Sequence, residues 1–188
     1  MKLVCIAVLA LLVGAVPADA ATRKPLKTKN GTLKVDFALD PFGVKLLAAG
    51  VEPPTPIAPA VAEELVHYTF PVRTARVNGK GTKATIRTRG GQTLREEFVV
   101  RTITNLTGKI RHGRLVMLAD AGGGSVPVKG IPFLRGRGTA KRTKNGFTFT
   151  VKKLRLTDFA ATDTNSQFET TTFHAGEVVG SGKFVVRK

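Results

Sequence analysis

Residues 66–91 read VHYTFPVRTARVNGKGTKATIRTRGG, with six Lys or Arg and no acid. Val66, Tyr68, Phe70 and Val72 alternate with His67, Thr69, Pro71 and Arg73. Beyond Asn78-Gly79, Ala84, Ile86 and Thr88 alternate with Lys83, Thr85, Arg87 and Arg89. A period of two is that of a strand with one face buried. Asn-Gly accepts the positive φ angles of a tight hairpin turn. The stretch is therefore read as two antiparallel strands joined at Asn78-Gly79, apolar on one face and basic on the other. The fold class that follows is mainly β.

Two further Asn-Gly pairs, Asn30-Gly31 and Asn145-Gly146, are hairpin candidates for the same reason. After the last of them, Phe147, Phe149 and Val151 share one face, with Thr148, Thr150 and Lys152 on the other. Additional strands are expected at 98–105, 109–118, 126–133, 154–157 and 182–187, where Val, Thr and Gly abound. Gly-x-Gly recurs at 79–81, 136–138 and 180–182, which reads as a repeated hairpin or bulge device. One helix is expected over 40–50, capped by Asp40, with Pro41 in its first turn and Gly50 at its end. A second, opened by Asp158, is expected further on. The Pro-rich stretch 51–60 reads as an extended surface crossing. Together these elements predict an antiparallel β-sandwich or barrel-like domain with one or two short helices.

The first twenty residues, MKLVCIAVLALLVGAVPADA, stand apart. A base at Lys2, an apolar run over 3–16 and Ala18-Asp19-Ala20 form the pattern of a secretory signal peptide cut after Ala20. The apolar run is shorter than the roughly 20 residues of a membrane-spanning helix. Cleavage leaves one domain, 21–188, without cysteine, because Cys5 is the only one in the chain. Such a domain folds by its core alone. The formal net charge of +17 is unchanged by cleavage, since Lys2 and Asp19 leave together. A charge of that size favours anionic partners and says nothing of fold.

Signals for catalysis are poor. Beyond the leader the serines are Ser125, Ser166 and Ser181, none in a Gly-x-Ser-x-Gly elbow. Gly180-Ser181-Gly182-Lys183 lacks the spacing and the following helix of a phosphate loop. Adjacent acids such as Glu63-Glu64 and Glu96-Glu97 face opposite ways in a strand. His67, His112 and His174 have no metal-ligand spacing. The chain is read as a non-enzyme without a metal site.

The distribution of bases is the anomaly. Residues 98–119 hold four bases and no acid, and residues 121–157 hold nine bases and no acid. On alternating strand positions several of these share a face, which suits salt-sensitive contact with a polyanion. Lys83, Arg87, Arg89, Arg137 and Lys141 are the candidate anion-binding residues. The expected partner is an anionic envelope polymer or an acidic surface. Sequence-specific nucleic acid is not expected, because the chain has no Trp and one Tyr for stacking on bases.

Three segments together resemble the HtaA-type domain of bacterial envelope haem-uptake proteins. FGVKLLAAG at 42–50 is similar to that family's Trp-Gly-Val-Lys helix opening, with Phe42 in place of Trp. TFPVRTARVNGKGTKATIRTRGGQTL at 69–94 resembles its Phe-Pro strand, turn and Gly-x-Gly-Thr strand. FHAGEVVGSG at 173–182 resembles its late Phe-Tyr-x-Ala-Gly segment, with His174 in place of Tyr. RLVMLADAGG at 114–123 stands where a comparable strand is expected. The resemblance implies a secreted, mostly β domain. It also implies haem held by a Tyr late in the first helix and a His after the Gly-x-Gly strand. Those positions fall near Val51 and near Arg89 to Gly91, where neither residue type is present.

The expected function is non-catalytic binding at the cell envelope, through basic strands and without a cofactor. The alternative is binding or transport of haem or another tetrapyrrole, with His67, Tyr68 and His174 as candidate haem-binding residues.

Overall fold

In the computed structural model, the described residues are 23–38, 45–49, 65–96, 99–123, 127–167, 169, 171 and 173–188. The leader, Asp40, the Pro-rich stretch and Val51 lie outside them. The strands are β1 Leu26–Thr28, β2 Asn30–Ala38, β3 Lys45–Ala49, β4 Leu65–Val77, β5 Lys83–Thr88 and β6 Gly91–Glu96. They continue with β7 Val99–Arg111, β8 Arg114–Gly122, β9 Val128–Arg142, β10 Gly146–Leu156 and β11 Val178–Arg187. One helix, α1 Asp158–Gln167, precedes β11.

The antiparallel pairings run β2-β11-β10-β9-β8-β7-β5-β4 and return to β2. The sheet therefore closes on itself as an eight-stranded barrel, the second of the two expected architectures. β1 pairs with β4 in the same register as β2, so β1 and β2 are one strand line interrupted at Lys29. Asn30-Gly31 consequently makes no hairpin. β6 and β3 extend the sheet outward from β7.

The alternation read from residues 66–91 holds. Tyr68, Phe70, Val72, Ala84, Ile86 and Thr88 are buried, while His67, Thr69, Arg73, Lys83 and Arg87 are exposed. The interior is filled by side chains from every strand of the ring, with Leu33, Ile86, Ile110, Leu115, Phe149 and Phe184 fully buried. The barrel is thus a packed core and not a channel.

The turn at Asn78-Gly79 joins β4 to β5, but the positive φ falls on Gly81 at 72°. Asn78 holds the loop instead: its N–H donates to the Lys83 carbonyl at 2.9 Å, and its Oδ1 accepts from the Lys83 N–H at 2.9 Å. A two-residue hairpin joins β7 to β8 through His112-Gly113, with φ of 47° and 75°. Positive φ at both central residues is the type I′ geometry preferred by twisted strands. β9 is much longer than the expected run at 126–133, and β10 joins the strand expected from Phe147 to Lys152 with the run expected at 154–157.

The helix expected over 40–50 is overturned where it is described. Lys45–Ala49 is strand β3, paired antiparallel with β6 from Lys45↔Arg95 to Ala49↔Gly91. A helix of that length is marginal in water. Pairing along β6 satisfies the same backbone groups at once. The helix expected at Asp158 is present. Thr157 caps it, its Oγ1 accepting from the Ala160 N–H at 3.2 Å.

Candidate functional site

The interior carries one unusual polar group. Tyr68 is 3% exposed, and its hydroxyl has no hydrogen-bond partner among the described residues. It lies edge-on to Phe37, ring centroids 5.9 Å apart at 76°, and stacks on Phe70 at 5.9 Å and 12°. Burial pushes the phenol up to about 12, because the phenolate cannot be hydrated there. The site is an oxygen donor in an apolar, aromatic setting. An unsatisfied buried hydroxyl costs about 1–3 kcal/mol.

The structure separates the other two haem-binding candidates from Tyr68. His67 precedes it in β4 and leaves the sheet on the opposite, exposed face. There its Nδ1 lies 2.8 Å from Asp36 Oδ1 across the β2–β4 pair. His174 is exposed in the turn before β11, where its N–H donates to Glu177 Oε2 at 3.2 Å. Arg89, near the position where the resemblance implies a His, is exposed in the turn after β5.

The outer face is organised by a bulge in β10. The register with β9 shifts between Val151 and Lys153, so Lys152 and Lys153 both point to solvent. The two Gly-x-Gly segments of β9 and β11 flank this bulge, opposite Val151 and Leu154 on either side. A Cβ at Gly138 would stand 2.2 Å from the Thr150 carbonyl oxygen, so only glycine allows this approach. The expectation of a bulge device is met at 136–138 and 180–182, and that of a hairpin device at 79–81.

Over the bulge lies a groove of about 790 Å³, whose charged lining is Arg114, Arg135, Arg137, Lys152, Lys153 and Arg155. Among the described residues, no carboxylate, His, Tyr or Met lines it. A second groove of about 390 Å³ is lined by Lys27, Arg76, Lys83, Lys109 and Arg111. Of the anion-binding candidates, Arg137 stands in the first groove and Lys83 in the second. Arg87, Arg89 and Lys141 are exposed but line neither.

Sequence reasoning missed Arg101. This side chain is 1% exposed and forms a bidentate pair with Asp163 of α1, at 2.7 and 2.6 Å. The signal was its parity with Ile103 on the inward face of β7. Among the described residues no group of three or more His, Cys, Asp or Glu could hold a metal ion. Nor is any described helix long and apolar enough to cross a membrane.

Among solved structures, the barrel is similar to the C-terminal domain of HtaA from Corynebacterium glutamicum. The TM-score is 0.59 at 9% sequence identity, covering 84% of this chain and 98% of that one. The fold is HtaA-like. The HtaA-like barrel is also similar to the heme binding protein HtaB of the same organism. There the TM-score is 0.51 at 11% identity, with 87% of this chain and 96% of that one covered. No family model and no curated protein matches the sequence. At these identities the likeness is one of fold.

Proposed function

We propose that the chain is an exported, non-catalytic binding domain of the cell envelope whose HtaA-like barrel, residues 21–188, takes a haem-type tetrapyrrole through Tyr68. The observation that carries this reading is the Tyr68 hydroxyl, buried among aromatic rings and without a partner among the described residues. A phenol oxygen is an established axial donor to haem iron. Ferric iron supplies the positive charge that makes a buried phenolate favourable, reversing the effect of burial on this proton. Phe37 and Phe70 provide the apolar, stacking surroundings that a porphyrin face needs. The likeness to a heme binding protein supports the same reading at the level of fold. The basic groove over β10 offers no iron donor and has no part in iron binding.

At 3% exposure, Tyr68 becomes accessible only when its neighbours shift. Binding is therefore coupled to a local rearrangement. The test is a spectral titration of the protein, without its first twenty residues, with hemin. A shifted Soret band is expected in the unaltered protein and in His67→Ala and His174→Ala, and is expected to be lost in Tyr68→Phe. An unchanged band in Tyr68→Phe, or no shift in the unaltered protein, overturns the reading. The chain has one Tyr and no Trp, so quenching of tyrosine fluorescence reports ligand proximity to Tyr68 itself.

A further inference from the structure

The strand register assembles a row of charge that no single strand contains. Lys83 of β5 stands opposite Arg111 of β7. Arg111 stands opposite Arg114 of β8, Arg114 opposite Arg137 of β9, and Arg137 opposite Lys153 of β10. All five are exposed. Directly paired residues leave a sheet on the same face, so five consecutive strands present a base at the same level. With about 4.8 Å between strands, the row spans about 19 Å. A second, broken row runs beside it through Arg76, Lys109, Arg135 and Arg155.

Like charges set directly opposite one another destabilise a sheet. The described acids do not relieve them. Asp36 faces His67 and Ser181, Asp120 holds Asn105 and the Gly130 N–H, and Asp163 holds Arg101. No ion pair joins a described carboxylate to any of the five bases. The uncompensated row joins the two grooves, with Lys83 and Arg111 lining one and Arg114, Arg137 and Lys153 lining the other.

We propose that this row and its two grooves form a track for a linear phosphate polymer without bases, laid across β5, β7, β8, β9 and β10. A compact anion would fill one groove and leave the rest of the row unopposed. A bilayer engages apolar tips as well as charge, and Val116 is the one exposed large hydrophobic residue described on these five strands, with Val178 of β11 beside Arg155 at their edge. A nucleic-acid strand adds stacking on exposed rings, and among the described residues no aromatic side chain lines either groove. What the face offers is a line of charge alone.

The test uses the protein without its first twenty residues and long-chain inorganic polyphosphate as the probe. Orthophosphate, a thymidine oligonucleotide of equal charge and phosphatidylglycerol vesicles serve as comparators. Polyphosphate should bind most tightly, with affinity falling linearly on a log–log plot against salt. The ladder triple Arg114→Gln, Arg137→Gln, Lys153→Gln should weaken binding about tenfold or more and flatten the salt slope by about two to three. A control triple that removes the same charge elsewhere, Lys34→Gln, Lys129→Gln, Lys144→Gln, should retain most of the affinity. Without ligand, the ladder triple should melt at a higher temperature than the control, because it relieves repulsion between paired strands. Equal losses in the two triples would show that net charge and not the track binds, and the proposal fails. Preference for the oligonucleotide, the vesicles or orthophosphate over polyphosphate overturns it as well. The hemin Soret shift should be the same in the ladder triple as in the unaltered protein, so that failure of either reading leaves the other standing.

Discussion

Arg101 reaches from inside the end of the barrel to grip Asp163 of α1 with one guanidinium nitrogen on both carboxylate oxygens, at 2.7 and 2.6 Å. Its other terminal nitrogen donates to the Gly122 carbonyl at 3.4 Å. α1 is short and weakly amphipathic, burying only Ala160, Ala161 and Thr164. Its seat on β9 therefore depends on this pair and on the Thr157 cap. Removing one member of a buried ion pair leaves the other charged and unsolvated. Asp163→Ala should lower the unfolding free energy by about 3 kcal/mol. The double change Arg101→Met, Asp163→Leu should cost much less. Denaturant unfolding of the two variants separates the outcomes, and equal losses would count against the clamp.

Tyr68 sets a signature at high pH. Its phenol is raised to about 12 in the fold against 10 in the unfolded chain. The folded state therefore keeps a proton that the unfolded state has released. This contribution is fully present below pH 10 and is lost as the pH rises towards 12. Its size is on the order of 2–3 kcal/mol. Absorbance at the phenolate band should titrate late, and Tyr68→Phe should remove that part of the alkaline loss in stability. A tyrosine titrating at its ordinary value would contradict the burial described.

Gly138 is a tight backbone approach beside the β10 bulge. An added methyl would meet the Thr150 carbonyl oxygen at 2.2 Å and Phe149 Cζ at 2.9 Å. The carbonyl belongs to the sheet and cannot move alone. Gly138→Ala should destabilise by about 3 kcal/mol through overpacking. Gly130→Ala has no neighbour within 4 Å of the new atom and meets only its φ of 65°. Its cost should be near 1 kcal/mol. Thermal melts that rank the two the other way would refute this account of the bulge.

The His112-Gly113 turn is open to improvement. His112 is exposed and holds a φ of 47°, which Asn adopts more readily. His112→Asn should stabilise the β7–β8 hairpin by about 0.5 kcal/mol. A rise of a degree or two in melting temperature is the expected result.

Much of the barrel is legible in local alternation. Tyr68 to Val72 and Ala84 to Thr88 read as they fold, because a period of two survives in strands with one wet face. Lys45 to Ala49 misled because a short run of Leu and Ala suits a helix until a partner strand supplies its hydrogen bonds. His112-Gly113 went unseen because it falls inside the single strand expected at 109–118, with no Asn-Gly to mark the turn. Arg101 shared the inward parity of Ile103, yet a charge on that face names no partner until α1 folds back upon it. The row from Lys83 to Lys153 is the most instructive case. Its members lie on five strands, and nothing in a linear sequence states which residue will stand opposite which. Alternation marks Lys83 and Arg137 as bases on the wet faces of their own strands, and register is what places them on one line. Tyr68 was legible as an apolar-face residue, but its lack of a hydrogen-bond partner belongs to three dimensions.

Arg23, Lys24 and Lys188, at the two limits of the described chain, meet at one place. Arg23 donates to the Arg142 carbonyl, Arg142 reaches the Lys24 carbonyl at 3.2 Å, and the Lys188 N–H donates to the Asn145 carbonyl at 2.9 Å. Both ends are thus docked on the β9–β10 hairpin. The first and last strands of the ring, β2 and β11, pair with each other along their length, so the seam between them is a matter of connectivity and not of hydrogen bonding. A short linker from Lys188 to Arg23, with new ends cut at His112-Gly113, would give a circular permutant with every strand pairing retained. Fluorescent labels at positions 23 and 188 would sit close together in the folded chain, which makes the pair a direct reporter of barrel closure.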